Sequence, residues 1–181
     1  MRAQQARSIQ PLPGGIEHYS DTLAALIRLC EEEGTADEFI ARLMQEYPTV
    51  RTESVARSCL YNVLCVLDLV QTENAHLTVT PEGRAFLLHQ DPVLLERQLR
   101  THVTGVEQLI EELRTSARPI GQLLAAMQER GYGWESDWQL RFRLRWLRVA
   151  GLVERRTERE SSSRYPEWAL VREPVALPTR S

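Results

Sequence analysis

The sequence predicts an α+β fold, mostly helical, made of two consecutive modules that share an element order. Apolar residues recur with a 3.6-residue period along most of the chain, capping signals cut that pattern into short helices, and each half ends in two short strand-like runs. A length of 181 residues suits one good core or two small ones.

Residues 1–15 carry Pro11, Pro13, Gly14 and Gly15 and read as a flexible lead-in. Ser20 then caps a helix through Glu33, ended by Gly34. Thr35-Ala36-Asp37-Glu38 is a capping box that opens a second helix to about Tyr47, with Phe39, Ile40, Leu43 and Met44 facing the core and Pro48 closing it. A third helix starts near Thr52 or Ser54 and reaches about Leu67, its core side formed by Val55, Cys59, Val63 and Val66. Val70–Thr72 and His76–Val79 pair across Glu73-Asn74-Ala75, and Thr80-Pro81 starts a short helix to about His89. These elements make the first module, residues 16–90.

The second module, residues 91–173, opens on Asp91-Pro92 and a long helical stretch from Val93 to about Thr115, bent near Gly105. Pro119–Arg130 is the next helix, with Gly131-Tyr132-Gly133 as its exit. Ser136 then caps a helix on which Leu140, Leu144 and Leu147 share one face and Phe142, Trp146 and Val149 a second; Arg141, Arg145 and Arg148 fill one edge between them. Gly151 stands where such a helix ends in the left-handed conformation. Leu152–Arg156 and Ser163–Val171 read as strands across a polar loop, and residues 174–181 as a tail.

Charge is spread unevenly. All 22 basic residues are arginine, which removes lysine-dependent chemistry such as phosphate-loop and Schiff-base catalysis. Residues 1–90 hold 7 Arg against 12 acids (net −5) and residues 91–181 hold 15 Arg against 13 acids (net +2). From Gln139 to Tyr165 the balance is 8 Arg against 3 Glu, a local +5 in a chain of net −3. Arginine offers a planar fork to phosphates and guanine edges, so Arg141, Arg145 and Arg148 are candidate DNA contacts, with Trp138 and Gln139 beside them. The alternative is a solvated face paired with Glu154 or Glu158. Arg155, Arg156, Arg159 and Arg164 fit backbone phosphates better than bases. In the first module the outward side of the third helix offers Arg57, Ser58 and Tyr61, with Arg51, Thr52 and Ser54 at its start; that thinly basic face suits either base contacts or a protein partner. Trp134, Trp138, Trp146 and Trp168 either pack the core or stack on bases, and Trp138 is expected nearest the surface.

The run RLRWLRVAGLVERR, followed by a polar turn and a second strand, resembles the winged helix-turn-helix of prokaryotic DNA-binding proteins. Together with LTVTPEGRAFL after the first hairpin, the pattern over about residues 20–172 resembles the DNA-reading domains of prokaryotic restriction and defence proteins. That resemblance implies two winged-helix modules that bind double-stranded DNA mainly through the second while a separate domain or subunit cuts; it admits a nuclease or ATPase domain or subunit as partner, and a homodimer. A different class is also similar: tandem winged-helix adaptor subunits of chromosome-organising complexes, which use the fold to grip proteins. The acidic first half favours the adaptor and the +5 segment opposes it.

Catalysis is not expected, because there is no Gly-x-Ser-x-Gly, no glycine-rich phosphate loop and no carboxylate pair on strand ends. Cys30, Cys59 and Cys65 fall on apolar faces as core thiols, and His18, His76, His89 and His102 are scattered, so neither metal nor cofactor is expected. The absence of a span of ~20 apolar residues and of a signal sequence points to a cytoplasmic protein with no membrane contact.

Overall fold

The computed structural model describes residues 8–157 and 165–177, and within them the chain is α+β and mostly helical. In the first half α1 (Tyr19–Glu33), α2 (Ala36–Glu46) and α3 (Glu53–Cys59) precede the antiparallel hairpin β1 (Val70–Glu73) and β2 (His76–Val79). Thr35, between α1 and α2, bridges to His76 and extends that hairpin by one rung. Helices α4 (Pro81–His89) and α5 (Pro92–His102) lead to the second half: α6 (Val106–Thr115), β3 (Arg118–Pro119), α7 (Ile120–Glu129), α8 (Trp138–Val149), β4 (Val153–Arg156) and β5 (Glu167–Leu170), with sheet order β3-β5-β4. The order helix, short strand contact, helix, helix, hairpin therefore occurs twice. No helix among the described residues is long and apolar enough to cross a membrane.

Side-chain caps set the starts of α2 to α5. Thr35 accepts from Glu38 N at 3.4 Å, Thr52 from Val55 N at 3.3 Å, Thr80 from Gly83 N at 3.0 Å and Asp91 from Val93 N at 2.8 Å. Two expected caps are not used. Ser20 lies inside α1, whose entry is a 3-10 turn over Ile16–His18, and α8 begins after Asp137 rather than Ser136. Asp137 makes no cap because its carboxylate turns to Arg141, 2.6 Å away. In the first hairpin Asn74 and Ala75 have φ of 51° and 66°, the two left-handed residues of a tight type I′ turn.

The third helix departs from the expected face. Cys59, Val63 and Val66 are buried as expected, but Val55 is 46% exposed and Ala56, Leu60 and Leu64 are buried as well. The helix widens to π-type over Leu60–Leu64, where Cys65 N donates to Leu60 O at 2.9 Å. One added residue per turn carries Leu60 and Leu64 inward beside Val63, which a strict 3.6 period does not anticipate. Met44 of α2 is also exposed, at 37%. The expected bent helix over Val93–Thr115 is two helices, α5 and α6. Val103 is extended and Gly105 turns the chain at φ +83°, where a Cβ would meet the Trp134 ring at 2.7 Å.

The segment expected as a flexible lead-in is built into the core from Ser8 onward. Ile9 and Leu12 are buried, Gln10 N donates to Asn62 O at 3.3 Å, and Gln10 O accepts from the Trp146 indole at 2.8 Å. The start of the expected tail is also held. Glu96 of α5, fully buried, receives Val175 N at 2.8 Å, Arg100 at 3.1 Å and Arg172 at 2.6 Å. Arg100 also bonds Glu107 and the Val175 carbonyl, so α5, α6 and the C-terminal segment share one buried ionic knot.

One continuous set of buried residues runs from Ile9 to Trp168 through both halves. Trp146 is its largest member and joins them, its ring 5.0 Å from that of Tyr19. Trp146→Ala is expected to cost about 3–5 kcal/mol, and thermal unfolding of the parent should be a single transition by circular dichroism. Two separated transitions would contradict a shared core. For the same reason a fragment of residues 91–173 should not fold alone, since it lacks Tyr19 and Gln10.

Candidate nucleic-acid interface

Helix α8 is fixed on two sides. Leu140, Leu144 and Leu147 are buried toward its own half, and Trp146 is buried against Tyr19 and the N-terminal segment. Arg141, Arg145 and Arg148 are left on the exposed edge between these contacts. The helix ends in a Schellman motif: Gly151, at φ +66°, donates from its N–H to Arg148 O, and Leu152 N donates to Leu147 O, both at 2.9 Å. The chain passes at once into β4, whose Arg155 pairs in register with Trp168 of β5.

A cleft of about 860 Å³ opens between α8, the first turn of α7 and this hairpin. Four arginines line it: Arg141, Arg145, Arg148 and Arg155. The last three have no carboxylate partner among the described residues, whereas Arg141 is held by Asp137. That hydrogen bond also pulls the Asp137 carboxyl below its usual range. Arg145 lies beside the Tyr19 phenol; burial raises that phenol's pKa, against the Leu12 backbone and Arg145, which lower it. Helix α7 starts after Pro119 with no side-chain cap, and its first residues, Ile120, Gly121 and Gln122, line the same cleft. The positive end of that helix therefore adds to the guanidinium field.

The other expected contacts divide. Residues alternate across a strand, so Arg156 points away from Arg155 and its Nε binds Glu154 at 2.9 Å. Trp138 is 44% exposed, the most accessible of the four tryptophans, and stands edge-on to Phe142 outside the cleft lining. Gln139 is half-buried and its side-chain oxygen is taken by Ser8 at 3.0 Å and Arg143 at 2.8 Å. Arg159 and Arg164 lie outside the described residues.

In the first half, Arg57 is bound by Glu53 at 2.6 Å and Asp37 at 3.5 Å, Thr52 is spent as a cap, and Ser58 accepts from Asn62 at 3.2 Å. Ser54 and Ser58 line a separate groove of about 510 Å³ whose wall includes Gln10 to Pro13. The N-terminal segment thus lies along the outward side of α3. Arg51 and Tyr61 stay exposed but are not part of the arginine cleft.

Arg143 carries a role the arginine pattern hid. It is 2% exposed, donates to Thr104 O at 2.7 Å and to Gln139 O at 2.9 Å, and stacks over Trp134 at 4.5 Å. Burial lowers its pKa to about 10. The signal was present in the spacing, because Arg143 is three residues from Leu140 and four from Leu147, on the buried face. Burial also pushes the Cys59 thiol up to about 11 and Cys30 higher still, so neither is poised as a nucleophile. Among the described residues no three His, Cys, Asp or Glu gather as a metal site.

Arg143→Met should lower stability by roughly 1.5–3 kcal/mol through its lost charged hydrogen bonds, whereas Arg148→Ala should stay within about 0.5 kcal/mol of the parent as a surface change. Denaturant titration of both variants checks the contrast; equal losses would mean that Arg148 is structural too. Comparison of the chain with protein-family models, curated proteins and solved structures finds no match.

Proposed function

We propose that this chain is a tandem winged-helix protein, with modules over residues 16–90 and 91–173, that binds double-stranded DNA through its second module. In this reading α8 is the recognition helix and β4–β5 the wing. The observation that carries it is the convergence of Arg145, Arg148 and Arg155 on one cleft without carboxylate partners among the described residues. Elsewhere in the described chain, Arg42, Arg57, Arg100, Arg118 and Arg130 are matched by acids. Guanidiniums kept clear of acids but gathered between a helix and a hairpin suit phosphate oxygens, with guanine edges within the reach of the same forks.

The chain then acts by binding, as the site-recognition part of a restriction, defence or regulatory system, and any cutting belongs to a nuclease or ATPase partner. The first module contributes little phosphate attraction, because residues 1–90 carry a net charge of −5 and its Arg57 is neutralised. Those two observations also favour a second reading, the protein-gripping adaptor, in which the acidic half is the working surface.

Salt dependence separates the two. Three to four phosphate contacts give a slope of about −3 to −4 in log affinity against log salt, and converting Arg145, Arg148 and Arg155 together to alanine should abolish duplex binding while the circular dichroism spectrum is unchanged. Fluorescence anisotropy on a labelled duplex measures both. A slope near zero in the parent, or a triple variant that binds as the parent does, would sink the DNA reading and leave the adaptor.

A further inference from the structure

The lining of the arginine cleft is of two chemical kinds. Helix α8 and strand β4 supply the guanidiniums, while α7 and the start of β5 supply apolar and aromatic surface: Ile120, Pro166, Trp168 and the 69% exposed Tyr165. A phosphodiester backbone passing over the cleft would engage only the first kind. A concavity of about 860 Å³ is also far more than a phosphate fills, and falls in the range of roughly 300–1,000 Å³ that takes small organic ligands. An anion joined to a flat apolar ring uses both kinds of wall, since guanidiniums fork onto phosphate and rings stack on aromatic faces.

We propose that the cleft takes one unstacked nucleotide, its phosphate on Arg145, Arg148 and Arg155 and its base against Tyr165, Pro166 and Trp168. This deepens the nucleic-acid reading and rests on it for the choice of ligand. The same chemistry has two sources, a free nucleotide or an unpaired nucleotide within a strand.

The full chain is tested with four probes: 2′-deoxyadenosine 5′-monophosphate and inorganic phosphate by calorimetry, and two labelled duplexes, one fully paired and one with a single bulged adenosine, by anisotropy. The nucleotide should bind at least about tenfold more tightly than phosphate, and the bulged duplex about tenfold more tightly than the paired one, the size expected for one stacked base. Tyr165→Ala should erase most of the bulge preference and leave paired-duplex affinity unchanged. A nucleotide preference without a bulge preference assigns the cleft to a free nucleotide, and the reverse assigns it to a strand; either supports the proposal. Equal binding in both comparisons, or a bulge preference untouched by Tyr165→Ala, overturns it even if paired duplex binds well. Failure of both duplexes with retention of the nucleotide preference would instead remove the duplex reading and keep the cleft's ligand.

Discussion

The seating of Trp146 determines how the rest of the molecule is presented. Its indole N–H is satisfied by the Gln10 carbonyl and its ring lies against Tyr19, so the helix that carries it cannot rotate without burying an unpaired donor and opening a large void in the core. With the leucines of α8 fixed on the other side, only one edge remains for solvent. Arg141, Arg145 and Arg148 occupy that edge. The exposure of the basic stripe is thus a consequence of a contact between the two halves, and the Schellman motif at Gly151 then brings the hairpin, with Arg155, to the same cleft.

The disposition of arginines follows from what surrounds each one. Where a guanidinium would be buried it is given carbonyls, an aromatic face or carboxylates, as at Arg143 and in the Glu96 knot. Several exposed arginines, Arg42, Arg57, Arg114 and Arg130 among them, sit within reach of an acid, and such pairs contribute little to stability. Leaving three guanidiniums near one another without an acid partner among the described residues carries a repulsive cost. Nothing in the core requires it, and what sets the cleft apart is that these arginines converge on one concavity.

Much of this was legible in the sequence. The capping residues Thr35, Thr52, Thr80 and Asp91, the hairpins and the two apolar faces of α8 all follow from local patterns that tertiary packing did not override. What escaped was non-local. Ile9 and Leu12 lie among prolines and glycines that read as loose chain, and only the surface of α3 and the Trp146 indole, both distant in sequence, give them a place. The π-type widening at Leu60–Leu64 broke the assumed period downstream, while Val55, ahead of it, faces solvent. For the site, helical spacing could place the arginine edge, but the partners that distinguish Arg155 from Arg156, or free Arg148 from stacked Arg143, come from elements brought together by folding.

The two halves share an element order yet leave their equivalent helices in opposite states. On α3 the N-terminal segment walls a groove along one side of the helix, and its arginine is held by Glu53 and Asp37. On α8 the N-terminal segment is engaged from the inner side through Trp146, so the same stretch of chain that lies beside one helix props the other outward. Residues 8–13 therefore act as a shared brace, and the asymmetry between the halves is built into the fold. Charge differs in the same sense, net −5 over residues 1–90 against +2 over residues 91–181. Two halves with one element order can in this way differ in what they present: one seats the brace, the other carries the arginine cleft.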